Sequence, residues 1–509
     1  MKLHLPDAAI TIVTILGAEL IERCNHHTQL EASIVCEEPA EAVLRTIGQP
    51  LEISIGSPAP IELRLTIGRI EVSSGVCRLT AYGPSYQFDL IKRTRSFDAD
   101  VPQPISAFNI EEVFQKVEGL NVLSAKCAHI GQFEETDWKL LVRLARRSGA
   151  VVVTTADGRL KVVRTAEGTR RTEVDVARIV EDRLSIEVVS TIVESVTWDW
   201  RTGAAPTRGA THSFSGSDQT IEGAIHRAAG SILPGGERHR VFRHSDAPDD
   251  EYEAKILSAA LRAPTLRWAA RLRNLDVAPG DILSLSGSKS VDTPMLVISR
   301  SAIFEGRAVD GQLSIEVEAI SADAVPAGAA EDSVLEPMLR AIGVVVSVDD
   351  PERLGLVKVH FAWHAKESEG TWCRATQAAA GAGHGAFNPP VKGDWVITLH
   401  WPKSGELPVI VGAIYRGDAK IADYLGELSS QRAIVLTPGG QRIVADDGSD
   451  SLHIGIFNGA QAVCELVLTK DPPTIKLESN SGGTISMKAE TIELEATKEL
   501  KIHGKVSID

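Results

Sequence analysis

The chain has 509 residues, of which 43% are hydrophobic, 24% charged and 5% aromatic, and its formal net charge is −15. That length holds three or four domains, each with its own core. The acidic balance and scarce aromatics argue against a general nucleic-acid binder, which needs a basic face and stacking rings.

Six cysteines (Cys24, Cys36, Cys77, Cys127, Cys373, Cys464) are scattered without close pairing, as in a reduced cytoplasmic product rather than a disulfide framework. The opening run carries Lys2 and an apolar segment from Ala8 to Gly17. Pro6 and Asp7 interrupt it, and Ile10, Ile12, Val13 and Ile15 are β-branched, so a strand is expected rather than a cleaved signal. No later segment approaches the ~20 apolar residues of a membrane helix, and a soluble chain is expected.

Residues 51–55, 61–67 and 76–82 alternate apolar and polar side chains, the mark of strands with one buried face, and 38–46 suits a short helix. Lys92, Arg93 and Arg95 read as a solvated rim, with an acidic-partner contact as the alternative. A short amphipathic helix is predicted over 109–117 and a stronger one from Thr136. There Trp138, Leu141, Val142 and Ala145 share a face, Thr136 or Asp137 caps the start, Arg146 and Arg147 suit the C-terminal dipole, and Gly149 ends the helix. A hairpin follows through Ala156, Asp157 and Gly158.

Residues 202–250 read as loops with one short helix. Residues 250–261 read as a helix with Tyr252, Ile256, Ala259 and Ala260 on one face, limited by Pro264. Strands are predicted at 267–272, 281–285, 295–298 and 313–320. The Ala-rich acidic stretch that begins near Ser321 reads as a domain boundary.

Residues 342–417 hold five short strands, including 343–348, 356–361, 394–399 and 408–412, separated by Gly, Pro and Asp turns. They predict a small closed barrel of the OB type, with Trp395 and Tyr415 in its core or wall.

Beyond it, 474–478, 484–488, 491–495 and 500–503 repeat one alternating theme, and 506–509 ends on it. Each segment offers two or three apolar side chains on one face, too few to bury alone, so stacking against copies of the chain is expected. Three chains wrapped as a triangular prism place Ile475, Leu477, Ile485, Met487, Ile492, Leu494, Leu500, Ile502 and Ile508 on the axis. A two-sheet β-domain in a monomer is the alternative.

Cys24, His26, His27 and Cys36 match no common zinc spacing. His360 and His364 share no helical face, and His384 and His400 read as turn and wall residues. The Asp446–Asp450 stretch lacks the distal Glu of a calcium loop and reads as a hairpin turn. No G-x-S-x-G, H-E-x-x-H or Walker loop occurs, so neither a catalytic residue nor a cofactor is expected. His503 is a weak metal candidate if three copies meet on an axis; a packed or solvated His is the expectation.

The barrel stretch also resembles a known family. Gly343, Asp350, Pro351, Gly355, Val357, Lys358, Val359, Trp372, Arg374, Pro390, Gly393, Asp394, Pro408, Val411, Gly412 and Tyr415 fall in an order similar to the OB domain of the VgrG and phage spike family. Residues 132–149 resemble that family's hub signature, with Arg143, Leu144 and Gly149 in matching places. Lys139 and Leu140 stand where the family tends to have Phe.

The resemblance implies a mainly β chain with an α+β hub: two hub β-barrel domains with a few helices at 1–97 and 98–322, a linker at 323–341, an OB-fold barrel at 342–417, and an intertwined trimeric β-helix or β-prism at 418–509. It implies a homotrimer that meets a hexameric inner-tube protein, baseplate proteins, a PAAR-like tip protein and, transiently, a target membrane, with no nucleic acid. Val506, Ser507, Ile508 and Asp509 would contact the tip protein. The implied work is mechanical, not enzymatic. The chain would be made in the cytoplasm without a signal peptide, assembled into a baseplate, and delivered outside the cell or into a target.

Two alternatives belong to other classes. A secreted β-rich carbohydrate-active enzyme should show a catalytic cluster in a groove, and an OB-based binding protein should show a basic, aromatic-lined barrel face.

Overall fold

Period-2 alternation builds the N-terminal sheet. Pro50–Ile55 and Ile61–Ser73 put Leu51, Ile53, Ile55, Leu63, Leu65 and Ile67 on one buried face and charged residues on the other. The computed structural model describes residues 1–6, 10–56, 60–155, 158–189, 193–198, 207–212, 221–232, 239–244, 250–273, 277–286, 293–306, 312–326, 338–381, 384–401, 406–416, 430–458, 461–480 and 482–504. The chain divides into two units, Met1–Ile414 and Tyr415–Asp509.

In the first unit the sheet runs on through Val76–Tyr82, Gln29–Cys36 and Ile12–Arg23. Ile12–Arg23 then pairs with Met295–Glu305, which pairs with Gln312–Ser321, followed by Leu266–Leu272 and Ile179–Ile186. Residue 97 therefore does not divide this sheet, because strands from either side of that expected boundary are hydrogen-bonded neighbours. The seam also carries charge. The Arg300 guanidinium binds the Glu22 carboxylate, with Nε donating to Oε2 at 2.7 Å, and its Nη1 donates to the Val277 carbonyl at 2.9 Å. These side chains are only 3% and 5% exposed.

Helix Asp137–Arg147 starts where Thr136 accepts a hydrogen bond from the Lys139 N–H, and Gly149 at φ 65° follows its end. Trp138, Leu140, Leu141, Leu144 and Ala145 are buried. Val142, expected inward, is half-buried, whereas Leu140 is fully buried in the same cluster as Val152, Leu160 and Val162 of the following hairpin. Over 109–117 the expected α-helix is a 3-10 turn, Asn109–Glu112, that plugs Ile110 into the core. So short a run gains little from α-helical bonding.

Residues 202–250, read as loops, contain the strands Thr207–His212 and His239–His244, which flank Val193–Trp198, and the helix Ile221–Ile232. Their polar composition hides the strand period. Helix Asp250–Leu261 buries Ala254, Ser258 and Ala259, and Tyr252 and Ile256 lie at the margin.

Five strands, Leu339–Ser347, Val357–Phe361, Thr371–Ala375, Val409–Ile414 and Trp395–His400, close into a barrel. Its core is Val345, Val357, Val359, Phe361, Cys373, Val396 and Ile410. Trp395 lies on a wall strand of the barrel and not in this core, and Tyr415 follows the last barrel strand. They are 39% and 73% exposed, since alternation gives Val396 the inward position. The Asp350 carboxylate accepts the N–H groups of Glu352, Leu354 and Leu356 at 2.9, 2.6 and 3.1 Å and so organises the first turn.

The second unit holds a five-stranded antiparallel meander: Gln431–Leu436, Gln441–Asp446, Ser451–Asn458, Gln461–Thr469 and Thr474–Ser479. The acidic stretch at 446–450 is a hairpin turn, with Asp446 paired to Ser451 and its carboxylate accepting the Gly448 N–H at 2.9 Å.

Glu22→Gln strands the buried Arg300 charge. It should lower stability in urea unfolding by about 3–5 kcal/mol, whereas a solvent-side Glu71→Gln should leave it within about 0.5 kcal/mol.

Candidate functional site: an uncovered apolar face and a polar joint

Register decides the character of the second unit. Ile443, Ile454, Leu466 and Leu477 stand abreast across four strands, and so do Ala445, Leu452, Leu468 and Ile475. Paired residues in an antiparallel ladder share a face. That face is therefore apolar, while Arg442, His453, Glu465, Lys476 and Glu478 line the other. The polar face is internally satisfied: the Arg442 guanidinium lies 4.6 Å from the Phe457 ring centroid, and His453 Nδ1 is 3.3 Å from Glu465. The apolar face is open, with Ile454, Ile456, Ile475 and Leu477 all exposed.

Of the residues expected on a trimer axis, Ile475 and Leu477 belong to this face and the rest follow it in sequence. Ile475, Leu477, Ile485, Met487, Ile492, Leu494, Leu500 and Ile502 are all exposed, from 48% at Ile492 to 79% at Ile475. Of their segments only Thr474–Ser479 is a strand. The strands expected at 484–488, 491–495 and 500–503 are absent among the described residues, because alternation alone provides no partner for their backbone N–H and C=O groups. His503 is exposed. Val506, Ser507, Ile508 and Asp509 lie outside the described residues. The sequence reading missed Ile443, Leu452, Ile454, Leu466 and Leu468. The alternation of Leu452, Ile454 and Ile456 was the available signal.

The first unit has a second feature, where strands Lys92–Pro104 and Lys126–Thr136 meet the barrel. Asp98 Oδ1 accepts from His129 Nδ1 at 2.8 Å, and Asp98 Oδ2 accepts from the Ser96 and Thr371 hydroxyls at 2.9 and 3.0 Å. His364 Nε2 lies 3.0 Å from Ser96 Oγ and 3.2 Å from Thr371 Oγ1, and its Nδ1 accepts the Phe361 N–H at 3.1 Å. His400 bonds Thr398 Oγ1 at 2.9 Å and packs edge-on against Phe133, Phe361 and Trp363. His129 and His400 are 2% and 1% exposed. His400 is thus a buried joint residue as well as a member of the barrel wall.

Burial opposes ionisation of Asp98, but the neighbouring His129 and three hydrogen bonds outweigh it and hold the carboxyl below its usual range. Burial pushes His400 down to about 3, with His129 adding to the effect, and lowers His364 as well. Apolar packing of Ala128 against Leu356, Trp372 and Leu407 completes the joint.

Lys92 and Arg93 are exposed, as a solvated rim requires, while Arg95 is half-buried, and the two arginines are drawn to one acidic residue. Both pair with Asp137, at 3.3 and 2.5 Å, and Arg95 also donates to Gln132. Cys24 is buried, donates to the Val297 carbonyl, and has its thiol pushed up to about 12 by burial. His27 is held by Ser85 and Asp89. A hollow of about 410 Å³ beside Phe88 and Val117 is also lined by Lys116 and the paired Glu118 and Arg159. Among the described residues no helix is long and apolar enough to cross a membrane.

Residues 341–415 match the family of type VI secretion system/phage-baseplate injector OB domains. No curated protein matches the chain significantly. The fold is similar to that of the E. coli c3393 protein, a type VI secretion component with structural similarity to the T4 bacteriophage tail proteins gp27 and gp5. That likeness has a TM-score of 0.53 at 11% identity and spans 81% of this chain and 100% of the other. It is also similar to a chain of the half-lidded Francisella PdpA-VgrG complex, with a TM-score of 0.59 at 10% identity over 92% and 84% of the two chains. At these identities the likeness is one of fold.

Thr371→Val removes a donor to Asp98 and a partner of His364 in a fully buried position. It should cost about 1–3 kcal/mol, read as a lower midpoint in the urea unfolding of the full chain.

Proposed function

We propose that this chain is the homotrimeric hub and spike of a contractile injection machine. The observation that carries the reading is the apolar face of the second unit, followed in sequence by the exposed alternating residues up to Ile502. Covering each exposed Ile or Leu is worth about 1.5–3 kcal/mol, and two further copies of the same surface supply that cover with matching geometry. Three chains would intertwine as a β-helix or β-prism in which residues 484–503 gain strand partners from their neighbours. The fold of the first unit, similar to a type VI secretion component and to VgrG, supports the rest of the reading.

In that reading the first unit meets a hexameric inner-tube protein and baseplate components. The C-terminal residues Val506, Ser507, Ile508 and Asp509 receive a PAAR-like tip protein. The chain works by transmitting force to a target membrane, without catalysis, cofactor or nucleic acid. It would leave the cytoplasm by assembly into the baseplate and be delivered on contraction.

Light scattering on the size-exclusion peak should give three times the 54.6 kDa chain mass. Leu466→Asp combined with Leu477→Asp should shift the peak to one chain mass while the first unit stays folded. A wild-type chain that remains a monodisperse monomer at micromolar concentration overturns the proposal.

A further inference from the structure

The joint between the barrel and strands Lys92–Pro104 and Lys126–Thr136 gathers the imidazoles of His364 and His400 against Asp98 and the buried His129. The hydrogen bonds fix how each group is protonated. His364 Nε2 faces the Ser96 and Thr371 oxygens and Nδ1 accepts the Phe361 N–H, so the ring is neutral with its proton on Nε2. A second proton on Nδ1 has no place unless the Phe361 bond breaks. His400 is similar: the Thr398 hydroxyl donates to the Ala341 carbonyl and accepts from Nε2. Its Nδ1 has no hydrogen-bonding neighbour among the described residues and is packed among aromatic rings.

The groups that face these two rings come from both sides of the joint. Asp98 and His129 belong to the long strands, His360 lies with its ring centroid 5.1 Å from that of His364, and the His129 and His400 centroids are 6.3 Å apart. Asp98 stays ionised above pH 5, being held below the usual carboxylate range by His129 and its hydroxyl donors despite burial. It therefore contributes no change of charge between pH 7.5 and 5.5.

We propose that this joint is a proton-sensitive latch, closed while His364 and His400 are neutral and released from the long strands when they are protonated. The barrel is closed on itself and has its own core, separate from the packing at the joint. The sign follows from linkage. Both rings bind protons less readily in the closed joint than at their ordinary value of 6.5. Opening therefore takes up protons, and the closed state loses stability as pH falls below 6.5. Lowering the pH from 7.5 to 5.5 should raise the opening constant about tenfold through His400 alone, and the lowered His364 adds to that in the same direction. The latch lies wholly in the first unit and stands whether or not the chain trimerises.

The Phe361 amide reports on the latch directly, since it donates to His364. Deuterium uptake by the full chain at pH 7.5 and 5.5, divided by intrinsic exchange rates, should show protection across 358–364 falling at least about tenfold. Protection over Pro50–Ile55 should change far less. His400→Gln should reduce the response, and His364→Gln should reduce it independently. Constant protection across 358–364 in the wild-type chain overturns the proposal, as does an equal loss over Pro50–Ile55, which would mark general acid unfolding.

Discussion

An apolar sheet face left exposed among the described residues is the constraint on which the account of the second unit rests. The meander from Gln431 to Ser479 has the hydrogen bonding of an ordinary antiparallel sheet, but only one of its faces resolves its own polarity. Arg442 rests on Phe457 and His453 reaches Glu465 on one side, while Ile443, Ile454, Leu466 and Leu477 line up on the other. An exposed apolar strip, followed in sequence by alternating residues for another twenty-odd positions, is an association surface or a liability. Because the strip belongs to every copy of the chain, symmetric self-association is the simplest way to bury it.

The first unit is built differently. It closes its own cores, and its parts are fastened by buried polar contacts: Glu22 with Arg300 across the sheet seam, and Asp98 with His129 and Thr371 at the barrel joint. Such contacts add little net stability over apolar packing, but they cost heavily when one partner is lost, and so they fix a single arrangement. The force-bearing role proposed for the chain would require that rigidity. The seam is tied by a carboxylate and a guanidinium. The joint includes two imidazoles held neutral by burial, so the two fastenings should respond differently to acid.

Period and turn chemistry made much of this legible beforehand. Four of the five barrel strands, the helix capped by Thr136 and the helix at Asp250–Leu261 follow from local pattern. What local pattern cannot supply is partnership. Residue 97 looked like a boundary because nothing in residues 12–23 announces pairing with Met295–Glu305. His400 read as a wall residue because its neighbours Phe133 and His129 lie more than 250 positions away. Arg95 read as solvated because Asp137 is brought to it only by the strand pairing. The alternating tail leaves its apolar side chains exposed, and among the described residues of a single copy most of it has no strand to pair with.

The most direct test is the backbone of that tail. In the assembled species, amide exchange over residues 484–503 should be slowed by orders of magnitude relative to an unstructured chain, and that protection should vanish on dilution or when the apolar face is disrupted. Exchange at unstructured rates in the assembled species would contradict the account, because the alternating residues would then have gained no neighbours from association.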